Sequence, residues 1–167
     1  MSRAFVKEQD GENGAGEIQD LPQSDHPNYV TPRGLAQLKE RLVAAQEKRR
    51  ILLETPDSVE RELPLAYVAR EIRYLEARIE RAILVDPATQ PQGEVAFGAT
   101  VRVRDPKGAD REFAIVGEDE ADAEKGSVSW VSPLARALTG AAIGDNIVWR
   151  RPAGDLELEI RDIRYQG

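Results

Sequence analysis

The chain has 167 residues, no cysteine and a formal net charge of −7. This length allows one medium domain or two small ones, and the lack of cysteine excludes disulfides, thiol nucleophiles and thiolate metal sites. No apolar run approaches the ~20 residues that span a membrane, and the first residues lack the pattern of a signal peptide. We therefore expect a soluble cytoplasmic protein that has no membrane partner.

The charge is distributed unevenly along the chain. Residues 31–86 carry 11 basic and 10 acidic side chains, whereas the segments before and after them are acidic. The overall acidity disfavours a general nucleic-acid binder. Residues 1–28 are acidic, rich in glycine and without hydrophobic periodicity, which predicts a flexible N-terminal extension. His26, the single histidine, lies in this extension, and we expect it to be a solvated side chain.

The first predicted helix begins in the sequence YVTPRGL. Thr31 suits the N-cap position and Pro32 suits the first helical position, where a missing N–H costs nothing. Val30 and Leu35 occupy the two positions of a hydrophobic staple. These signals predict that ordered structure starts near residue 29.

Two runs of apolar residues with alternating spacings of three and four follow. They are Leu35, Leu38, Leu42, Ala45 and Leu52, and then Leu65, Val68, Ile72, Leu75, Ile79 and Ala82. Both are close to ~27 Å long at 1.5 Å per residue, which predicts an antiparallel coiled-coil hairpin over residues 29–86. Arg49 interrupts the first run at a position that would be buried. The second helix should end near Val85, before Asp86-Pro87, because a residue that directly precedes a proline resists the helical conformation.

After a linker over residues 87–92, the apolar pattern changes to a period of two, typical of strands. The alternating residues are Val101 and Val103, Phe113 and Ile115, Val128 and Trp130, Ile147 and Trp149, and Leu156, Leu158 and Ile160. A shift of parity after Ile160 predicts a β-bulge near Arg161-Asp162. A short helix over 133–138, with Ser132 as its cap, should cover the sheet. The predicted class is therefore α+β, a helical hairpin followed by a small, mostly antiparallel β domain over 93–167.

These stretches together resemble the GreA/GreB family of transcript-cleavage factors of bacterial RNA polymerase, and the GreB type most closely. The resemblance covers about residues 29 to 165 and is carried by YVTPRGLAQLKERL, REIRYLEARIERAILVD, GEVAFGATVRV, FAIVGEDE, SPLARAL, the Gly-Asp at 144–145 and PAGD. It implies that the C-terminal domain is FKBP-like and docks at the rim of the polymerase secondary channel. The hairpin would enter the channel toward the backtracked RNA 3′ end, and we expect the free protein to be a monomer.

The resemblance also implies a docking segment. In this sequence it comprises Val131, Ser132, Pro133 and Arg136, which would grip a coiled coil at the channel rim. The alternative interpretation is that Ser132 and Pro133 only cap the short helix. Both interpretations stay open, because the same residues can do both.

Carboxylates at the hairpin tip are implied to help hold a second Mg²⁺ in the polymerase active centre. Such an ion activates water toward the RNA phosphodiester and needs only one or two protein carboxylates. The family pattern of Gly-Asp followed by Glu-Asn is absent from the tip, TPDSVERELPLAY. Asp57 and Glu60 keep the acid spacing and are our candidate ligands, with Glu62 as a further catalytic candidate. The same spacing fits a capping box, with Asp57 as N-cap and Glu60 bonding back to its amide.

A basic cluster is predicted behind the tip, on the assumption that the two helices pair antiparallel. It consists of Lys48, Arg49, Arg50, Arg70 and Arg73. Such a cluster can bind the phosphates of backtracked RNA, since neutralised phosphates supply most non-specific affinity. The alternative is a solvated helix face with charge pairs to Glu47 and Glu71.

Four functional hypotheses remain from the sequence. The first is an accessory factor, not itself an enzyme, that stimulates RNA cleavage by the polymerase. The second is a family relative that docks in the same channel without cutting and so inhibits or modulates transcription, since the tip is altered. A peptidyl-prolyl isomerase would need an aromatic pocket that Phe97, Phe113, Trp130, Trp149 and Tyr165 supply poorly. A generic coiled-coil adaptor would leave SPLARAL unexplained.

Overall fold

The computed structural model describes residues 18–166 and has two long helices followed by a β domain. Helix α1 spans Pro32–Glu54, α2 spans Val59–Glu80 and the short α3 spans Pro133–Leu138. The strands are β1 Asn28–Val30, β2 Ala82–Leu84, β3 Ala99–Arg104, β4 Asp110–Val116, β5 Ser127–Ser129, β6 Asn146–Trp149 and β7 Leu156–Tyr165. The predicted α+β class, a helical hairpin before a small β domain with one short helix, is confirmed.

The hairpin is built on the apolar stripe that the sequence predicted. Thr31 caps α1, since its hydroxyl oxygen accepts a hydrogen bond from the Gly34 amide at 2.9 Å. The buried seam comprises Val30, Leu38, Ala45, Val68, Ile72 and Leu75, with Leu35, Leu42, Leu52, Ile79 and Ala82 partly buried against it. The α1 helix has 23 residues and is therefore about 35 Å long at 1.5 Å per residue. Neither long helix has an apolar stretch sufficient to cross a bilayer within residues 18–166.

The second helix ends earlier than predicted, at Glu80 instead of near Val85. The chain then forms β2, which pairs in parallel with β1. The Val85 amide continues this pairing by donating to the Val30 carbonyl at 3.0 Å. The predicted end was wrong because these backbone groups find partners on a strand about fifty residues earlier in the chain, and not on the preceding helical turn.

The connection between the helices is short, and much of the tip sequence TPDSVERELPLAY is helical. It comprises only residues 55–58, since α2 begins at Val59 and contains Pro64. Proline has no amide hydrogen, so the carbonyl of Glu60 loses its usual partner four residues on. The first turn and a half of α2 therefore lies ahead of the proline and forms part of the tip.

The β domain is a five-stranded sheet in the order β5-β4-β3-β7-β6, antiparallel except for the β4–β5 pair. The predicted bulge is confirmed, because Val103 pairs with Ile160 and Arg102 with Asp162, which leaves Arg161 as the extra residue. Helix α3 packs on this sheet through its buried apolar side chains, Leu134, Ala135 and Leu138. Ser132 caps it as predicted, accepting from the Ala135 amide at 3.2 Å.

Part of the predicted flexible extension lies against the rest of the molecule. The extension was expected to end at residue 28, yet Asn28 is buried and β1 begins there, while residues 1–17 lie outside the described residues. The exposed His26 contacts Trp130 edge to face, with ring centroids 5.8 Å apart.

At the junction with β4, a Cβ on Gly117 would lie 2.5 Å from the Tyr29 carbonyl oxygen, so only glycine fits this close approach.

Candidate functional site

One arginine organises the loop at the hairpin tip. Arg61 donates from one guanidinium nitrogen to the Thr55 carbonyl and from another to Asp57 Oδ1, both at 2.7 Å. Its side chain is only 17% exposed, whereas that of Asp57 is 86% exposed. Arg61 therefore fixes the loop to the first turn of α2 and neutralises one of the predicted catalytic acids.

The three predicted tip acids occupy different positions relative to α2. Ser58, not Asp57, is the N-cap residue, and its side chain makes no capping hydrogen bond. The capping-box interpretation is therefore wrong, because Asp57 lies one residue before the cap and bonds to Arg61. Glu60 and Glu62 lie exposed in the first turn, where the helix dipole favours negative charge.

The tip acids do not form a complete metal site within the described part of the chain. Among residues 18–166, no group of three or more acidic, histidine or cysteine side chains is placed to hold a metal ion. Magnesium usually takes one or two protein carboxylates, with water and phosphate oxygens completing its shell. The role predicted for Asp57 and Glu60 requires no more than that.

Large apolar side chains surround the tip acids and are exposed to solvent. They are Ile51, Leu53, Val59, Leu63 and Tyr67, with Val59 the most exposed at 82%. These side chains lie outside the seam, whose residue nearest the tip on α1, Leu52, is partly buried. Sequence analysis missed this surface because the heptad pattern concerns only residues in register with the seam.

The basic cluster is only partly assembled. Lys48 and Arg70 line the same groove of about 220 Å³, together with Tyr67. The Arg70 guanidinium stacks over the Tyr67 ring at 5.0 Å from its centroid. These residues present two positive charges and an aromatic face side by side, the combination that binds single-stranded nucleic acid.

The other three basic residues behave differently. Arg50 bonds to Glu47 at 2.7 Å and also to Glu54. The hydrogen bond from Arg50 to Glu47 lowers the pKa of the Glu47 carboxyl. Arg73 bonds to Asp20. The expectation of a buried Arg49 was wrong, because this long side chain can reach water from its position in the run and is exposed. The predicted Glu47 pairing is present, whereas Glu71 contacts Arg41 instead, at 3.8 Å.

The predicted docking segment forms a continuous surface between β5 and the first turn of α3. Val131 and Ser132 are half-buried, while Pro133 and Arg136 are exposed. The cap role of Ser132 leaves the ring of Pro133 and the guanidinium of Arg136 free to face a partner. Its role in docking stays a prediction.

A buried arginine that the sequence analysis missed joins the hairpin to the β domain. Arg78 is 1% exposed and donates to Asp119 Oδ2 and to Asn28 Oδ1, both at 2.6 Å. The Tyr74 hydroxyl donates to the other Asp119 oxygen at 2.6 Å. Burial and this hydrogen bond to a carboxylate raise the pKa of Tyr74 to about 12.

The acidic stretch GEDE after β4 supplies most of the partners at this junction. Glu118 accepts a hydrogen bond from the Ser24 hydroxyl at 3.0 Å, and Glu120 accepts one from the Thr31 hydroxyl at 2.6 Å. The stretch therefore fixes the base of the hairpin at three successive positions. The sequence contained a signal for this junction. It is the combination of Arg78, next to the apolar stripe of α2, and the acid-rich stretch GEDE elsewhere in the chain.

The fold and tip define a class of protein in which a β domain presents a long helical hairpin with acids at its free end. The sequence model of the family "Transcription elongation factor, GreA/GreB, C-term" matches residues 90–165. The transcription elongation factor GreB of Neisseria meningitidis serogroup B is 35% identical over 153 residues, covering 83% of this chain and 94% of the relative. The transcription elongation factor GreA of Alkalilimnicola ehrlichii is 38% identical, covering 81% and 96%.

A solved structure of the GreA/GreB elongation factor from Nitrosomonas europaea is 25% identical, covers 82% of this chain and 98% of that chain, and has a TM-score of 0.41. The two relatives, GreB and GreA, are matched over 94% and 96% of their own length. The chain therefore belongs to the GreA/GreB family of transcription elongation factors, and the resemblance inferred from the sequence is confirmed.

Proposed function

We propose that this protein is a cytoplasmic accessory factor of bacterial RNA polymerase that enters the secondary channel and stimulates cleavage of backtracked transcripts. Family membership supports the partner, since the curated relatives are named transcription elongation factors. The observation that carries the proposal is the exposure of Asp57, Glu60 and Glu62 at the free end of the hairpin, remote from the β domain.

In this proposal the two ends of the molecule have different roles. The β domain would bind the channel rim through the segment that contains Pro133 and Arg136. The hairpin would then bring Asp57 and Glu60 to the polymerase active centre as ligands of a shared Mg²⁺, with Glu62 close behind. A bound Mg²⁺ makes its water a better nucleophile at neutral pH. Lys48 and Arg70 would contact the phosphates of the backtracked RNA.

A second candidate is a factor that occupies the same channel without cutting. It is favoured by the ion pair between Arg61 and Asp57, because an acid already bound to a guanidinium is a poorer metal ligand. The exposed apolar side chains around the tip, such as Val59 and Leu63, also suit a plug better than a metal site. Such a factor would slow nucleotide addition.

Cleavage of RNA in a backtracked elongation complex separates the two candidates. Wild-type protein should shorten RNA labelled at its 5′ end, and the rate should rise with magnesium concentration. The double variant Asp57→Asn, Glu60→Gln should lose cutting yet still bind the polymerase, because it changes charge without changing size. Arg61→Gln should raise cleavage, since it releases Asp57.

The controls decide how a negative result is interpreted. Glu40→Gln removes one exposed carboxylate from α1 outside the tip, so it should leave cleavage unchanged. Slower nucleotide addition with no cleavage at any magnesium concentration would refute the cleavage function and support the second candidate. Loss of polymerase binding by the double variant would instead show that the tip acids act in docking.

A further inference from the structure

The basic face of the hairpin is covered by an acidic segment of the same chain. This segment, which we call the strap, comprises residues 18–21, Ile-Gln-Asp-Leu. Asp20 Oδ1 accepts from Arg73 Nε at 2.8 Å and lies 2.6 Å from a second nitrogen of the same guanidinium. Leu21 lines the groove that also holds Lys48 and Arg70. The strap therefore contacts the surface to which the RNA role was assigned.

Asp20 and Leu21 contact groups that the phosphate and the base of a nucleotide could also use. A carboxylate that binds a guanidinium through two nitrogens uses the same donors as a phosphate. Leu21 forms part of the wall of the groove that Tyr67 and Tyr74 also line, next to aromatic side chains of the kind on which bases stack. RNA and the strap cannot use the Arg73 guanidinium at the same time.

We propose that the strap is a built-in competitor that holds the basic face of the hairpin closed until RNA displaces it. This inference rests on the proposed function, since it concerns the same basic face. In the free protein the strap would lower the affinity of the basic face for the phosphates of RNA. The strap regulates access to the groove and takes no part in the chemistry.

The strength of the contact suits a competitor that can be displaced. The side chains of Arg73 and Asp20 are 52% and 66% exposed, and exposed ion pairs contribute little. The strap is nonetheless tethered close by, because Asp20 lies eight residues before the buried Asn28. A short tether of this kind gives an effective concentration on the order of millimolar. A weak contact is therefore formed most of the time in the free protein and is lost when several phosphates bind together.

The test is binding of the full-length protein to a fluorescein-labelled oligouridylate of about 12 nucleotides, measured by fluorescence anisotropy at fixed salt. Asp20→Asn should raise the affinity about 1.5- to 5-fold, the range expected for an exposed ion pair. Leu21→Ala should raise it independently, by removing the apolar contact of the strap with the groove. Asp25→Asn is the matched control, since Asp25 has the same charge, lies four residues after the strap and makes no ion pair with any residue of 18–166.

A third arm tests the basic face itself. Lys48→Gln with Arg70→Gln should lower the affinity of the Asp20→Asn protein. If it does, and Asp20→Asn binds no more tightly than Asp25→Asn, the strap proposal is overturned while the RNA role of the hairpin survives. If the basic substitutions change nothing, or no variant binds the RNA, the RNA role and the strap proposal both fail.

Discussion

Arg78 offers the most demanding test of how the two domains are joined. The variant Arg78→Met keeps the volume of the side-chain stem and removes the guanidinium. Asp119 and Asn28 then lose their bonds of 2.6 Å at a site where the arginine is 1% exposed. Removing one partner of a buried ion pair costs about 3–5 kcal/mol, because the other charge is left without compensation. The Tyr74 hydroxyl still donates to Asp119, so we expect a loss near the lower end, about 3 kcal/mol.

Urea unfolding followed by two probes measures this loss. Far-UV circular dichroism reports mainly the hairpin, and fluorescence of Trp130 and Trp149 reports the β domain. The wild-type transitions should coincide, whereas Arg78→Met should unfold its hairpin first, because the junction no longer couples the two units. Arg73→Met is the matched control, and its exposed ion pair should cost less than about 1 kcal/mol. Equal losses in the two variants would refute the assignment of Arg78 as the joint.

Three further changes test other parts of the structure. Leu75→Ala, at a fully buried seam position, should lower the free energy of unfolding by about 2–5 kcal/mol in circular dichroism; a loss below 1 kcal/mol would contradict the seam. Because the pKa of Tyr74 is raised from 10.0 to about 12 in the folded state, its contribution is complete below pH 10 and is lost as the pH rises toward 12. Tyr74→Phe should therefore flatten that decline, by about 1 kcal/mol or less for a half-exposed group, and an unchanged slope would argue against the assignment. Ser132→Ala with Pro133→Ala should weaken binding to RNA polymerase in a pull-down while the thermal midpoint falls only by the cost of a lost cap, and unchanged binding would leave these residues a purely structural role.

The parts of the fold that the sequence predicted are those that depend on local periodicity. Apolar spacings of three and four placed the seam from Leu38 to Leu75, and a parity change along β7 located the bulge at Arg161. Both signals come from residues within one element, where side-chain direction follows directly from backbone geometry. They were therefore readable without knowledge of the rest of the chain.

The parts that could not be predicted depend on partners far apart in sequence. The end of α2 is set by β1, whose residue Asn28 pairs with Ala82. Arg78 is buried only because Asp119 and Asn28 meet it from two different segments. Periodicity also assigned Arg49 to a buried seam position, but it does not report that a long charged side chain can reach water from there.

The tip shows why a list of acids is a poor guide to metal chemistry. The sequence places Asp57 and Glu60 at a spacing that suits two ligands, but the turn into α2 also brings residue 61 next to residue 57. Arg61 takes that position and bonds both the acid and the Thr55 carbonyl, so the group that shapes the loop also neutralises the ligand. Under the proposed function, whether the tip cuts or blocks would depend on the competition between one guanidinium and a magnesium ion for Asp57. That competition can be altered by a single change at Arg61 without altering any acid.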